Sequence, residues 1–364
     1  MESRKVLVTG GASFIGSHLT DTLHSRGVSV VVVDDFSSGK LNNLEYSFKK
    51  VRRGEWRHGR RLTVKQGDVR DRRFLRSALD GCEIVFHLAA VHGGRGFIDT
   101  HPADCCQNMA IDQTVIEACR LADIQRICFA SSACVYPTEL QEQAGSAYLL
   151  KEEDADPFER CKANADLEYG WSKLMCEMSL QAYHRQYGMK TSSVRLFTAY
   201  GPRENETHAV IALIAKAFIR SNPYVIWGTG EQDRNFTYVQ DIVDAMILAS
   251  EKIEDGTPVN AGRSDRITLN QSAELIFDIM KWKPPEIVHD LNRPRGVASR
   301  AADLTRARSL LNWEPRVDYR DGFERTIRWY EQSHDTTQVA SRLEQLLNER
   351  INPPIATSQK SRKR

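Results

Sequence analysis

The stretch Lys5-Val-Leu-Val-Thr-Gly-Gly-Ala-Ser-Phe-Ile-Gly16 decides the fold. Its apolar, β-branched start predicts a strand over Lys5–Thr9, and the residues from Phe14 to Arg26 have the spacing of an amphipathic helix. In the turn between them, Gly10 permits a tight bend and Gly16 permits close packing of the helix on the strand. Because a helix start presents free amides and the positive end of its dipole, the stretch predicts a site for the pyrophosphate of a dinucleotide.

A pair of acids, Asp34 and Asp35, ends the next predicted strand, Val28–Asp34. The pair lies about twenty residues beyond the turn, where a carboxylate accepts hydrogen bonds from the hydroxyls of an adenine ribose. Two acids there would repel a 2′-phosphate, so the sequence predicts NAD rather than NADP as the cofactor. The alternative is an ordinary strand–helix turn with an acid that caps a helix.

Short apolar strands continue to alternate with amphipathic helices through the first 200 residues. This alternation predicts an α/β fold, namely a Rossmann-type, doubly wound parallel sheet with helices on both faces. Further strands are predicted at Leu62–Gln66, Glu83–Ala89, Arg126–Ser131 and Thr191–Phe197, and helices at Arg73–Leu79, Ala103–Leu121 and Asp166–Tyr187.

Beyond Gly201 the pattern changes to helices joined by short strands, which predicts a smaller α/β substrate-binding lobe over the carboxyl ends of the sheet. We predict an NAD-binding domain over 1–200, to which 234–265 returns, and a substrate-binding lobe over 201–233 and 266–335. Residues 336–364 are predicted to form a terminal helix and a disordered basic tail. The helices of this half are predicted at Ala209–Ser221, Val239–Lys252, Leu269–Met280, Thr305–Leu311 and Gln338–Glu349.

Charge and composition argue against several classes of function. Lysine and arginine number 50 against 48 aspartates and glutamates, so the net charge of +2 does not favour a nucleic-acid partner, and the basic run Lys49–Arg61 is predicted to be a solvated loop. No apolar run approaches the ~20 residues of a membrane helix, and the early strand predicts that no signal peptide is cleaved. The eight cysteines lack the C-x-x-C spacing of a zinc site, which predicts no metal and a reducing, cytoplasmic compartment.

Tyr169-Gly-Trp-Ser-Lys173 places a phenol and an ammonium four residues apart, on one face of a predicted helix. A free tyrosine, with a pKa near ~10, is a poor base at neutral pH, but a neighbouring Lys⁺ and a positive nicotinamide ring both favour the phenolate. Tyr169 would then accept the proton of a substrate hydroxyl while hydride leaves the same carbon. Ser132, at the end of a predicted strand, would share the hydrogen bond to the reacting oxygen.

Together these motifs resemble the extended branch of the short-chain dehydrogenase/reductase superfamily, and within it the NAD-dependent nucleotide-sugar epimerases and dehydratases. The resemblance extends to Gly67-Asp-Val69, His87-Leu-Ala-Ala90 and Arg234-Asn-Phe-Thr-Tyr-Val-Gln-Asp241, and the chain departs from the family at Ser13, where a third glycine is usual. The resemblance implies a nucleotide-diphosphate sugar as substrate and a homodimer. The residues that it implies for NAD binding are Gly10, Ser13, Phe14, Ile15, Gly16, Asp34, Asp35, Asp68, Val69, Leu88, Ala89, Ala90, Asn108 and Lys173.

The residues after the serine strand distinguish the subfamilies. Dehydratases of this family carry an acidic pair, and decarboxylases a glutamate, where this chain has Ala133 and Cys134. Ser131-Ser-Ala-Cys-Val-Tyr-Pro137 and Gly93–Ile98 resemble instead the GDP-mannose 3,5-epimerases, and the first stretch also resembles the GDP-fucose synthases. His208-Ala-Val-Ile-Ala-Leu213 resembles the segment of the fucose synthases whose histidine partners that cysteine, whereas the 3,5-epimerases carry a lysine at this point. The resemblance to the fucose synthases thus implies that Cys134 and His208 form an acid/base pair. Since a ketone at C4 makes the C3 and C5 protons of a sugar acidic, such a pair would invert these carbons.

Arg234 and Arg300 match positions at which the family clamps the diphosphate, a task that suits bidentate guanidinium–phosphate bonds. The substrate-binding residues implied by the resemblance are Gly94, Arg95, Ser132, Thr198, Val225, Trp227, Arg234 and Arg300. The prediction is an NAD-dependent nucleotide-sugar epimerase that acts through a transient 4-keto sugar, similar to GDP-mannose 3,5-epimerase. The alternatives are a UDP-sugar 4-epimerase in which Cys134 only packs, an epimerase/reductase that consumes external dinucleotide, and a non-catalytic sensor of NAD or sugar nucleotides.

Overall fold

The computed structural model describes residues 4–159, 163–293 and 296–348. The strands among these residues are β1 Lys5–Thr9, β2 Ser29–Asp34, β3 Lys49–Arg52, β4 Glu55–His58, β5 Leu62–Gln66, β6 Ile84–His87, β7 Arg126–Ser132, β8 Lys190–Leu196, β9 Ala199–Tyr200, β10 Tyr224–Trp227, β11 Asp233–Arg234, β12 Thr237–Tyr238, β13 Asp255–Ala261, β14 Ile267–Thr268, β15 Ile287–Asp290 and β16 Ser299–Arg300. The helices are α1 Phe14–Ser25, α2 Arg72–Leu79, α3 Arg95–Thr100, α4 Pro102–Leu121, α5 Leu167–Tyr187, α6 Ala209–Phe218, α7 Val239–Lys252, α8 Leu269–Met280, α9 Thr305–Leu311, α10 Tyr319–Ser333 and α11 Thr336–Asn348. The predicted helix end at Glu349 and the predicted disordered tail lie outside the described residues.

Nine of the described strands form one sheet, in the order β13-β8-β7-β6-β1-β2-β5-β4-β3. The strands from β13 to β5 in this order are all parallel. The chain continues from β1 to β2 on one side and returns through β6 on the other, so the winding reverses beside β1. In such sheets the carboxyl ends of the strands next to the reversal leave a crevice for a ligand. The predicted α/β, Rossmann-type fold is confirmed.

The central strands are continuous apolar runs because helices cover both faces of the sheet. Val30 to Val33 in β2 are all 5% exposed or less. One face packs against Leu19 of α1 and Ile242 of α7, and the other against Leu75 of α2 and Val115 of α4. This two-sided burial fixes the carboxyl edge of the sheet, on which the predicted site residues lie.

The basic run Lys49–Arg61 is a hairpin, so the predicted solvated loop is wrong. β3 and β4 extend the sheet antiparallel to β5, with Trp56 opposite Val64. All residues of β3 are exposed, and the buried carboxylate of Glu55 pairs with Arg52 and Arg57. Backbone pairing with the sheet is independent of side-chain charge, so a charge pattern predicted the exposure but missed the strands.

Part of the second half of the chain forms a lobe with its own core, while α7, β13 and α9 pack in the core of the nine-stranded sheet. Short sheets join β10 with β15, β9 with β12, and β11 with β14 and β16. Helices α6, α8, α10 and α11 surround a cluster that includes Ile211, Ile276 and Phe323, against which Phe14 and Ile15 at the start of α1 also pack. In the described part of the chain, no helix combines the length and the apolarity needed to cross a membrane.

Candidate active site

Only glycine fits at two positions of the turn between β1 and α1. Gly10 has a φ of +67°, and a Cβ there would lie 3.0 Å from the Ala89 amide nitrogen. A Cβ on Gly16 would lie 2.0 Å from the Gly10 carbonyl oxygen. The Ser13 hydroxyl donates to that same carbonyl oxygen (2.5 Å), so this side chain folds back onto the turn. The turn therefore presents mainly backbone at the amino end of α1, which fits the pyrophosphate of a dinucleotide.

Asp34 and Asp35 have different environments. The buried carboxylate of Asp34 faces the glycine-rich turn, where it accepts hydrogen bonds from the amides of Ala12 (3.0 Å) and Phe36 (2.9 Å). Burial raises the pKa of Asp34 to about 6, against the lowering effect of these two hydrogen bonds. Asp35 is exposed and accepts a hydrogen bond from the amide of Ser37 in its own loop (2.8 Å). Of the two acids, Asp34 is the one beside the turn, at the position predicted for the ribose hydroxyls.

The segment Leu88–Ala90 forms a wall next to the turn. The amides of Leu88 and Ala89 both donate to the Thr9 hydroxyl at 3.1 Å, which ties the ends of β6 and β1 together. The Asn108 side chain accepts a hydrogen bond from the Val91 amide (2.7 Å) and donates one to the Val91 carbonyl oxygen (2.9 Å). Asn108 thus braces the wall, and its contact with NAD stays a prediction.

Asp68 and Val69 follow β5 at the same edge of the sheet. The Asp68 carboxylate pairs with the Arg70 guanidinium (2.7 Å), and both side chains are exposed to solvent. Val69 is buried in the core beneath α2. The contact of this segment with adenine stays a prediction.

Tyr169, Lys173 and Ser132 lie where α5 packs along the end of β7. The Lys173 ammonium nitrogen is 5.7 Å from the centre of the Tyr169 ring and 4.6 Å from that of the Phe129 ring. It donates to the Ala130 carbonyl oxygen (2.9 Å), and burial lowers the pKa of Lys173. Ser132 ends the strand, and its hydroxyl accepts a hydrogen bond from the Cys134 amide (3.1 Å). The structure therefore brings the predicted phenol and ammonium together at the edge of the crevice.

A buried ion pair fixes α5 against the sheet. Glu177, one turn beyond Lys173, binds the Arg195 guanidinium (2.8 Å) and accepts a hydrogen bond from the Ser131 hydroxyl (2.5 Å). Glu177, Arg195 and Ser131 are all 3% exposed or less. Removing one partner of such a pair would leave a buried charge uncompensated, so these residues hold Lys173 in register with β7.

Cys134 lies in a short turn that α5 approaches very closely. A Cβ on Gly170 would lie 2.1 Å from the Cys134 carbonyl oxygen, which already accepts a hydrogen bond from the Asp166 amide (2.8 Å). The glycine after Tyr169 is therefore required for this contact. The half-buried Cys134 thiol lies 3.9 Å from a terminal nitrogen of Arg300. The described cysteines are free thiols, and Cys161 lies outside the described residues.

Arg95 and Arg300 lie at the buried carboxylate of Asp166, and Arg234 lies beside these two arginines. Arg95 binds Asp166 at 2.8 Å, and Arg300 lies 4.0 Å from it. A Cβ on Gly296 would lie 3.5 Å from an Arg234 nitrogen and 3.6 Å from an Arg95 carbon. Burial, and then the charge of Arg300, lower the pKa of Arg234 to about 9. Since Arg95 also pairs with Asp99 at 2.8 Å, three guanidinium groups face two carboxylates, and the remaining positive charge suits a diphosphate.

His208 is held by a carboxylate that the sequence analysis did not single out. Its Nδ1 lies 2.6 Å from Glu204 Oε1, and burial raises the pKa of Glu204. In the sequence, this contact is indicated by the four-residue spacing between Glu204 and His208. A Cβ on Gly94 would lie 2.4 Å from the Thr207 carbonyl oxygen, so the glycine loop before Arg95 packs directly against the His208 turn. This loop continues into α3, a short helix that was not predicted.

Comparison with known proteins agrees with this geometry. Residues 6–262 match the model of the NAD dependent epimerase/dehydratase family. The chain belongs to this family. It is 29% identical to GDP-mannose 3,5-epimerase from Arabidopsis thaliana over 340 residues, which cover 90% of this chain and 82% of the relative.

Solved structures of two nucleotide-sugar-binding proteins have the same fold as this family member. UDP-glucose 4-epimerase from Thermotoga maritima, solved with UDP-glucose, matches with a TM-score of 0.76 and 26% identity and covers 90% of this chain and 99% of its own. MoeE5 in complex with UDP-glucose and NAD matches with a TM-score of 0.72 and 28% identity over 90% and 99% of the two chains. NAD is therefore the cofactor, and the glycine-rich turn with Asp34 fits it.

Strand β10 of this family member carries Val225 and Trp227, two of the predicted substrate-binding residues. The Trp227 ring lies 5.7 Å from the Lys216 ammonium and 5.0 Å from the Arg293 guanidinium, measured to the ring centre. Lys216, which was not predicted, donates to the Val225 carbonyl oxygen (2.7 Å), and burial lowers its pKa to about 8. Thr198 lies between β8 and β9, where its carbonyl oxygen accepts a hydrogen bond from the Thr237 amide (2.9 Å). Aromatic and cationic groups of this kind suit a nucleotide.

Proposed function

We propose that this chain is an NAD-dependent nucleotide-sugar epimerase that forms a transient 4-keto sugar and inverts C3 or C5, as a GDP-mannose 3,5-epimerase does. The observation that carries the proposal is one continuous set of contacts. The Gly94 loop packs on the His208 turn, its next residue Arg95 binds Asp166, and Arg300 lies between Asp166 and Cys134. Candidate acid/base groups thus flank one arginine-rich cleft beside the Tyr169–Lys173 pair.

Tyr169 accepts the proton of the C4 hydroxyl. The Lys173 ammonium favours the phenolate form of Tyr169 by its charge, and Ser132 donates a hydrogen bond to the oxygen at C4. NAD, which the glycine-rich turn and Asp34 would hold, would supply the hydride acceptor for C4 and the hydride donor at the end of the cycle. Arg234 and Arg300 bind the diphosphate, which holds the sugar in place during both transfers.

Cys134 and His208 carry out the proton transfers at carbon. The ketone at C4 acidifies the protons at C3 and C5, so a thiolate removes one proton and an imidazolium delivers another to the opposite face. Glu204 orients the His208 ring through its contact with Nδ1. The similarity to GDP-mannose 3,5-epimerase supports epimerisation at C3 or C5, which needs such proton transfers.

A UDP-sugar 4-epimerase is the second candidate, supported by the similarity to UDP-glucose 4-epimerase. In that reaction the keto-sugar turns over and receives hydride on its other face, and no C–H bond other than that at C4 is broken. An epimerase/reductase, the third candidate, would consume external dinucleotide in proportion to the product.

Turnover in D₂O distinguishes these reactions. The full chain is incubated with NAD and either GDP-mannose or UDP-glucose, and the sugar is followed by proton NMR. We expect loss of the C3 or C5 proton signal of the GDP-sugar, without net reduction of NAD. Epimerisation at C4 without deuterium incorporation would establish the second candidate. In a parallel incubation of a nucleotide 4-keto sugar with reduced dinucleotide, stoichiometric oxidation of the dinucleotide would establish the third.

We also propose that the enzyme is a homodimer in which α5 and α4 face a second copy. Leu167, Trp171 and Met175 form a stripe at four-residue spacing on α5 and are 40%, 41% and 43% exposed. Light scattering should give twice the mass of one chain. The double substitution Trp171→Glu with Met175→Glu should give a monomer, because it places two charges in the apolar interface. Leu310→Glu, on an equally exposed residue of α9, is the control, and a wild-type monomer would contradict the proposal.

A further inference from the structure

The loop that carries His208 is anchored to the first helix of the sheet domain by an arginine. Arg203 lies between β9 and α6, and its guanidinium binds the carboxylate of Asp21 (2.6 Å) and donates to the hydroxyl of Ser17 (3.2 Å). Both partners belong to α1, which begins directly after the glycine-rich turn. The Arg203 side chain is only 10% exposed. A third partner, Glu45 at 3.3 Å, is mostly exposed and contributes less.

The backbone of Arg203 has a conformation that its contacts must hold in place. Its φ is +71°, in the left-handed region that residues other than glycine rarely adopt. The residue before it is held as well, since Nε2 of His18 on α1 lies 2.9 Å from the carbonyl oxygen of Pro202. Conformations of this kind persist only where several contacts enforce them, and they are found preferentially at functional sites.

The other end of the loop is anchored to the second lobe. Glu206 is 7% exposed and accepts a hydrogen bond from the hydroxyl of Tyr330 on α10 (2.8 Å). Between the two anchors, Glu204 lies 2.6 Å from Nδ1 of His208. The loop is therefore tied to the helix beside the cofactor turn on one side and to the core of the second lobe on the other. None of the contacts of Arg203 has a role in the mechanism described above.

We propose that Arg203 is a positioning residue that, through α1, sets the place of the His208 imidazole relative to the cofactor and the sugar. Glu204, which orients that ring, follows Arg203 directly in the chain, so a shift of the anchor moves the carboxylate that holds His208. The cofactor turn and the candidate acid are thereby held in one arrangement. This inference rests on the proposed function of His208, but the anchor itself can be measured without any sugar.

The first test is hydrogen–deuterium exchange in the NAD-loaded full chain, followed by mass spectrometry. The amides of Thr207 and His208 both donate to Asn205 within the loop, at 3.0 and 3.3 Å. Arg203→Met removes the guanidinium, so these amides should exchange about tenfold faster. Arg26→Met is the matched control, because it removes an ion pair of 3.2 Å between the end of α1 and α7 and should leave the loop unchanged. Unchanged exchange in Arg203→Met would overturn the proposal.

A second variant separates the lost contacts from misfolding. Glycine adopts a φ of +71° without strain, so Arg203→Gly keeps the backbone of the loop and removes only the side chain. It should show the same faster exchange. An effect confined to Arg203→Met would assign it to the strained backbone and overturn the anchor.

The last readout uses turnover. With an active sugar, both Arg203 variants should invert C3 or C5 about ten- to a hundredfold more slowly, because a small misplacement of a catalytic group costs that much. Hydride transfer at C4 and KM should stay as in the wild type. A loss of hydride transfer and inversion together would indicate a purely structural role, and full inversion would exclude a positioning role; either result would overturn the proposal. If the wild type turns over no sugar but the loop amides respond, the proposed function fails and the anchor stands.

Discussion

Replacing Tyr169 with phenylalanine should lower kcat by about 10²- to 10⁴-fold, the usual contribution of a positioned acid or base, which corresponds to about 3 to 5 kcal/mol of the barrier. Only the phenolic oxygen is removed, and the ring that packs near the Lys173 ammonium stays in place. The affinities for NAD and for the nucleotide sugar should therefore be nearly unchanged. Turnover by NMR and binding by calorimetry, on the same preparations, measure the two effects separately.

Tyr187→Phe is the matched control, since Tyr187 lies on the same helix and is 49% exposed. It should retain full activity. A Tyr169→Phe variant that keeps its biological activity would contradict the catalytic assignment and would support a non-catalytic sensor of NAD or sugar nucleotides.

The parts of the site that the sequence predicts are those encoded in short, continuous motifs. Gly10 and Gly16 are diagnostic because a strand directly precedes them and a helix follows, and the structure leaves no room for a Cβ at either position. Tyr169 and Lys173 were found because four residues bring two side chains to one helix face. For these residues, the spacing along the chain is enough to predict which side chains lie together.

The residues that the sequence did not reveal are brought together by packing between distant elements. Arg203 meets Asp21 only because the loop after β9 packs on α1, at a separation of 182 residues. Asp166 becomes the centre of an arginine cluster only when α3 and β16 pack against the start of α5. A single carboxylate in a helix has no local signal that distinguishes it from a solvated one.

Replacing Cys134 with serine should lower the rate of deuterium incorporation at C3 and C5 by about 10²-fold or more, while hydride transfer at C4 continues. A hydroxyl is nearly the size of a thiol but is a much weaker acid, so Ser at this position cannot supply the base. The contact of Gly170 with the residue-134 carbonyl involves only backbone and should be kept. NMR of the sugar in D₂O reports the exchange, and transient formation of the 4-keto sugar reports the hydride step.

The partner acid gives a second, independent readout of the same two-base chemistry. In His208→Gln the thiolate still removes and returns a proton on one face, so deuterium should enter with retention of configuration and no inverted product should form. Cys106→Ser, at a partly exposed cysteine of α4, is the control and should behave as wild type. Full exchange and inversion in Cys134→Ser would contradict the acid/base pair, because a residue that only packs contributes nothing to C–H exchange.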